Sequence, residues 1–407
     1  MEMMAALEGI KVVEVARVIG GPLAGRFLAE WGAEVLHIEH PITGDESRYY
    51  VSRNGKGKVI LSDINYSWEN NNRSKKGVTI DLSQERGKEI LHKLVEKADV
   101  FLTNLRPRDL KKFNAEYDTL CRVNHKLIYA CLTGYGRKGP DRNLPGFDLT
   151  GFWARAGIMN MLSEPGKSPP FSRPGFGDTI SGMALALGIV TALFARERTG
   201  IGQEVDVSLF NTGVFVLSYD IAGSLVTGQD FQQRERKEVL NPLTNFYQTK
   251  DGRWLYLAMV YPDRYWSRAC NAIEREDLEH DPQFESFEAR VENHTALFTI
   301  LEETFLSKTL AEWKDRFNEA GLPYAPAQKL TEVTADPQAR ANDFFATFDH
   351  PTYGPIEVIA CPIKLSKTPA SIRTPAPEFS QHTEQVLLEH GYTWEDIEQF
   401  KQQGIIA

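Results

Sequence analysis

Residues 10–39 constrain the fold more than any other stretch. Ile10 to Ala16 (IKVVEVA) has the continuous apolar texture of a buried strand. Gly20-Gly21-Pro22 then forms a tight turn, and Pro22 suits a first helical turn. Leu23 to Trp31 is predicted as a short helix stopped by Gly32, and Ala33 to Glu39 as a second strand. A strand–helix–strand unit of this length needs a parallel pairing, so the expected fold is α/β with a Rossmann-like sheet. The turn lacks the G-x-G-x-x-G pattern, so it carries no reading of dinucleotide binding.

Further strands are expected at Val78–Leu82, Asp99–Leu102 and Leu127–Leu132. A helix led by Ser83 fills Glu85–Ala98. Residues 45–71, with the GKGK run at 55–58, read as a loop or lid. Beyond an apolar helix from Phe210 to about Leu225 lies a charged linker, QDFQQRERKE. From Asn241 the texture changes to a hairpin around Lys250-Asp251-Gly252 and helices over 263–273, 289–305 and 309–320. Two domains follow: a discontinuous large one over 1–225 and 331–407, and a small one with its linkers over 226–330. A length of 407 residues accommodates both.

The stretch from Pro145 to Phe210 carries the chemistry. One carboxylate, Asp178, stands between a Pro/Gly-rich loop and a long apolar segment, Ile180–Phe194. That segment ends with Arg196, Arg198 and Gly200, so a buried helix is expected with Asp178 at its N-terminus. By position alone the commoner role there is an N-cap. The alternative is a nucleophile, held ionised by the helix terminus, with N–H groups nearby for an oxyanion.

A net charge of −9 argues against a broad nucleic-acid or membrane surface. The four scattered cysteines form no C-x-x-C, so no metal site or disulfide framework is expected. No secretory signal and no membrane-spanning run is read, which makes the cytoplasm the default location.

The run FGDTISGMALALGIVTALFARERTGIGQEVDVSL resembles the centre of the family III CoA-transferases, the group that includes formyl-CoA and carnitine-CoA transferases. The N-terminal LEGIKVVEVARVIGGPLAGRFLAEWGAEVLHIEHPITGDESR resembles that family's opening signature, and the likeness extends over nearly the whole chain. It implies that Asp178 is the nucleophile. It also implies a CoA site built from Val18, Ile19 and Gly20, from His40 after the second strand, and from Lys75 in Asn72–Gly77. Asn104, Leu105 and Lys112 would sit beside the adenine. The loop Tyr135-Gly136-Arg137-Lys138 suits phosphates, and Phe147 lies where the family's racemases carry an acid/base histidine.

The implied activity is transfer of CoA from a donor such as succinyl-CoA to an acceptor acid, through an aspartyl anhydride and an aspartyl-CoA thioester. Coenzyme A esters are substrates, and no tightly bound cofactor, metal or ATP is needed. Ile19 replaces the glutamine of formyl-CoA transferases and favours an apolar acceptor. The glycine-rich loop of those enzymes is replaced by Val239–Leu243. Phe147 cannot move a proton, which weighs against a 2-methylacyl-CoA racemase; an intramolecular CoA shift and a non-catalytic CoA-binding subunit stay open. The family forms interlocked dimers, so a homodimer or a heteromer with a homologous chain is implied. Phe152-Trp153 is similar to the benzylsuccinate CoA-transferase branch, though such aromatics are more often core. Asp148 is read as a cap of the helix that follows it.

Overall fold

The computed structural model describes residues 4–49 and 62–407; the GKGK run lies outside the described residues. Two compact units are present. One comprises residues 1–160, 171–229 and 342–407, the other residues 161–170 and 230–341.

The first unit is built on a six-stranded parallel sheet. Its strands are β1 (Lys11–Val15), β2 (Glu34–Glu39), β3 (Lys76–Thr79), β4 (Val100–Thr103), β5 (Ile128–Thr133) and β6 (Glu204–Ser208). Their order is β3-β2-β1-β4-β5-β6. Successive side chains point to opposite faces. Val13, Val15, Phe101 and Tyr129 therefore join a core completed by C-terminal residues such as Leu387 and Phe400. Val12, Val100, Leu102 and Ile128 face the other side, where α1 (Gly20–Glu30) packs. The chain leaves β1 in opposite directions along the sheet. That leaves a crevice at the carboxyl ends of β1 and β4, the place where open α/β sheets take ligands.

The helix expected at Leu23 starts at Gly20, so the two glycines are its first turn rather than a separate one. The segment read as a lid holds a short 3-10 turn, Glu46–Tyr49, and α2 (Tyr66–Asn72), capped by Asn65. The helix α3 (Glu85–Glu96) has Gln84 at its N-cap, and Ser83 bonds Asp81 instead. Two short helices, α4 (Pro107–Lys112) and α5 (Tyr117–Val123), connect β4 to β5.

After a short helix, α6 (Ile158–Met161), comes the 24-residue α7 (Phe176–Thr199). It is long and apolar enough to cross a membrane by length and composition, contrary to the sequence reading. Its face of Ser181, Leu185, Ala186 and Ile189 is buried among α1 and the sheet, while Leu187 and Phe194 are exposed. The apolar helix expected after Phe210 is two helices, α8 (Leu209–Val216) and α9 (Ser218–Thr227), bent by 78°.

The second unit has a three-stranded antiparallel sheet of Phe246–Gln248, Trp254–Leu257 and Tyr324–Pro326. Helices Pro262–Ala272, His294–Phe305 and Leu310–Glu319 close over an aromatic core of Tyr247, Phe305, Trp313 and Phe317. The single helix expected over 289–305 is interrupted at Asn293.

Candidate active site

The end of β1 runs into Arg17-Val18-Ile19, and α1 begins at once. Asn104, just beyond β4, clasps this turn: its Oδ1 accepts the Arg17 N–H at 2.9 Å and its Nδ2 donates to the Arg17 carbonyl at 2.7 Å. Opposite lies the start of α7. Its N-cap is Gly175, at φ +100°, which has no side chain to cap with. Asp148 fills that role from a distance in sequence. Its carboxylate accepts the N–H groups of Gly175 at 2.8 Å and Asp178 at 3.2 Å. Asp148 thus caps α7 and makes no side-chain cap to the π-helical turn Leu149–Arg155 that it precedes, which corrects the sequence expectation.

Asp178 is consequently not the cap. It stands in the first turn of α7 with its carboxylate against α1, and a Cβ added to Gly20 would lie 3.1 Å from Asp178 Oδ1. Burial, with the Asp148 charge adding to it, pushes the Asp178 carboxyl up to about 7. This corrects the sequence expectation that the helix terminus holds the carboxylate ionised. Burial also pushes Asp148 up, against the pull of the N–H groups of Gly175, Gly177 and Asp178.

Asp178 borders a cavity of about 310 Å3, together with Val18, Ile19, Gly20, Asn104, Leu105 and Phe147. Leu132, Leu144, Pro145 and Leu209 add apolar wall, and Arg17, Arg106 and Arg142 add cations. A second cavity, of about 250 Å3, shares Arg17 and Leu105 with the first and reaches His40, Asp81, Lys112 and Phe113. Nine of the fourteen sequence-predicted positions therefore lie on two cavities that meet at the β1–β4 crevice. His40 is partly committed: its Nδ1 accepts from Ile42 at 3.2 Å, while Nε2 is 3.9 Å from Asp81.

Five positions lie elsewhere. Tyr135, Gly136, Arg137 and Lys138 line a separate recess with Asp206, Ser208 and Phe210, because the loop after β5 turns toward β6. There Arg137 pairs with Glu204, so its charge is already answered. Lys75 is buried beneath α1. Its Nζ is 2.8 Å from Glu14 Oε1 and donates to the Pro22 carbonyl and Asn72. Burial lowers its pKa, against Glu14, which raises it. It is a structural cation that answers a carboxylate in the central strand. Lys75→Met is expected to destabilise the protein by about 3 kcal/mol, since removing one partner strands a buried charge. Thermal unfolding checks this; an unchanged melting temperature would contradict the role.

Phe152 and Trp153 are both buried, with centroids 5.8 Å apart, and line neither cavity. They belong to the core under α7.

The profile of CoA-transferase family III matches residues 7–383. The chain belongs to this family. It is 37% identical to an (R)-2-hydroxy-4-methylpentanoate CoA-transferase of Clostridioides difficile, over 98% of this chain and 99% of the relative. It is 35% identical to a cinnamoyl-CoA:phenyllactate CoA-transferase of Clostridium sporogenes, over 97% and 95%. Among solved structures, a CAIB/BAIF family protein from Brucella suis superposes with a TM-score of 0.81 at 27% identity, covering 95% of this chain and 99% of that one. Family III membership makes the chain an enzyme that handles CoA thioesters. Three residues that shape the crevice are not evident from the sequence in that role. Asp148 was assigned to the wrong helix. Asp45 and Asn71 were not singled out at all, although an acid directly after Gly44 beyond a strand end is a recognisable turn signal.

Proposed function

We propose that this family III CoA-transferase moves CoA from a donor acyl-CoA, with succinyl-CoA as first choice, to an apolar carboxylic acid through covalent intermediates on Asp178. The observation that carries this reading is a half-buried carboxylate at the crevice that caps no helix, with the first turn of α1 against it. Asp178 attacks the donor carbonyl; the C–S bond breaks and CoA leaves as thiolate. The thiolate attacks the aspartyl carbonyl of the anhydride, expelling the donor acid and leaving an aspartyl-CoA thioester. The acceptor carboxylate displaces the thiolate again. The thiolate then attacks the acceptor's acyl carbonyl and frees Asp178.

Each step passes through an oxyanion. Gly20 and Gly21 stand at the first two positions of α1, where N–H groups have no intrahelical partner. They are the donors we assign to that charge. The N–H groups of Gly175 and Asp178, by contrast, are occupied by Asp148.

The apolar wall of Ile19, Leu132, Leu144 and Leu209 supports an acid with a branched or aromatic side chain, in keeping with the acids named for the two bacterial relatives. We place the nucleotide of CoA in the smaller cavity. Lys112, exposed at its wall, then meets a phosphate. Lys112→Ala is expected to raise KM for acyl-CoA about tenfold with little change in kcat, and to erase any preference over dephospho-CoA. Equal KM values in variant and wild type would remove Lys112 from the site.

We also assign a second copy, or a homologous chain, to the apolar surface of α8 and α9, and the reaction to the cytoplasm. Phe215, Tyr219, Leu225 and Val226 are each at least 77% exposed in the single chain. Such a surface is typical of an interface, and two relatives are named as α and β subunits of one succinyl-CoA–L-malate CoA-transferase.

Hydroxylamine trapping tests the chemistry. Incubation with succinyl-CoA or a 4-methylpentanoyl-CoA, then hydroxylamine and peptide mass mapping, should give a hydroxamate at Asp178. No adduct with any acyl-CoA, in protein that binds CoA, would overturn the assignment.

A further inference from the structure

Val18 is a β-branched residue at φ +69°. Side chains of that type avoid the left-handed region, and such a residue persists there only when its surroundings hold it. The surroundings are specific. Asp45, from the loop after β2, accepts the Val18 N–H through Oδ2 at 3.0 Å and Oδ1 at 3.3 Å. Asn71, from α2, donates to the Val18 carbonyl at 3.3 Å. Asp45 and Asn71 are both 2% exposed. Asp45 is itself fixed, taking the Ser47 N–H and hydroxyl at 2.7 Å and giving its own N–H to Glu39 at 2.9 Å. With Asn104 on Arg17, side chains from three separate segments hold the N–H and carbonyl of both residues.

We infer that Asp45 and Asn71 are positioning residues that force Val18 into its left-handed turn, and thereby set Ile19 and Gly20 against the Asp178 carboxylate. The inference rests on Asp178 as the nucleophile. The strain sits two residues before Gly20, where an added Cβ would lie 3.1 Å from Asp178 Oδ1. A relaxed Val18 would swing the first turn of α1 away from the reacting carbonyl. Misplacement on the scale of 1 Å costs about 10²-fold in rate. Asp45 borders the smaller cavity, but its carboxylate is spent on the Val18 and Ser47 N–H groups and the Ser47 hydroxyl; it and Asn71 act through the backbone they hold.

The test uses rescue. Asp45→Ala should lower kcat about 10²-fold, with KM for acyl-CoA changed far less. Glycine occupies the left-handed region without strain. Adding Val18→Gly to Asp45→Ala should therefore recover about tenfold in kcat relative to the single variant. A purely structural role for Asp45 predicts no recovery, because glycine adds no contact. Should Asp45→Ala fail to fold, Asn71→Leu provides the second route: a loss of about tenfold, again relieved by Val18→Gly. Unchanged kcat in the folded single variant, or no relief in the double one, would overturn the inference. Hydroxylamine trapping on the wild-type enzyme separates the two claims. An absent Asp178 adduct there removes the nucleophile; a present adduct with no rescue removes the clamp alone.

Discussion

Asp178→Asn is expected to abolish CoA transfer, by about 10³-fold or more, and yet to make the protein more stable than the wild type above neutral pH. The two effects share one cause. Asp178 caps nothing, so the amide loses no helix contact. Its carboxyl is pushed from an ordinary 3.8 to about 7 by burial and then by Asp148. Below the unfolded value both states hold the proton and the residue is neutral toward stability. Between about 4 and 7 the unfolded chain releases the proton while the native one retains it. Native stability therefore falls as pH rises through that window, and the penalty is complete above about 7. At ~1.4 kcal/mol per unit the ceiling is on the order of 4 kcal/mol, reduced by water at the cavity mouth. The asparagine variant should melt a few degrees higher than wild type at pH 8 and at the same temperature at pH 4. Equal melting at both values would mean that Asp178 is solvated and carries no such strain. Wild-type activity should fall as pH drops through about 7, because only the carboxylate attacks.

Strands β1 to β5 were legible in the sequence because central parallel strands are buried on both faces and appear as short apolar runs such as KVVEV and IYACLT; the partly exposed edge strand β6, EVDVS, was not. Position along the chain also marked Asp178, through the glycine before it and the apolar run after it. What the sequence hid were contacts between distant segments. Asp148 stands 27 positions before Gly175, the N-cap of the helix it caps, and nothing in PGFDLTG distinguishes a cap for Leu149 from a cap for Gly175. Lys75 looks like a solvated cation in NNRSKKG; only the fold places Glu14, on the central strand, beneath it. The loop after β5 has the glycines and cations of a phosphate site, but the strand beside it carries Glu204, which pairs with Arg137, and Asp206, whose carboxyl feels the charges of Arg137 and Lys138. The left-handed turn at Val18 left no glycine to announce it. The three side chains that hold the turn come from positions 45, 71 and 104. Local propensity reported the elements, whereas the site depends on pairings it does not encode.

Asp148 is expected to separate two functions when it is replaced in two ways. Asp148→Ala removes the acceptor for the N–H groups of Gly175, Gly177 and Asp178 in a position only 4% exposed. An unpaired buried donor costs about 1–3 kcal/mol, so a loss on the order of 3 kcal/mol is expected. The added freedom at Gly175 should also misplace Asp178 and lower kcat. Asp148→Asn keeps an oxygen that can accept one of these bonds but removes the negative charge. Asp148 is the charged neighbour that raises Asp178, second only to burial. Without it the Asp178 pKa moves down toward the ordinary carboxylate range. The acidic limb of the kcat/KM profile should then shift to lower pH by about one unit, so the variant retains a larger share of its maximum at pH 6 than wild type does. At pH 8, where both enzymes are ionised, the asparagine enzyme should be slower, since a less basic carboxylate is a weaker nucleophile. A loss of rate with an unmoved limb would reduce Asp148 to a cap. A moved limb with full stability would show that its charge, rather than its hydrogen bonds, is what the site requires.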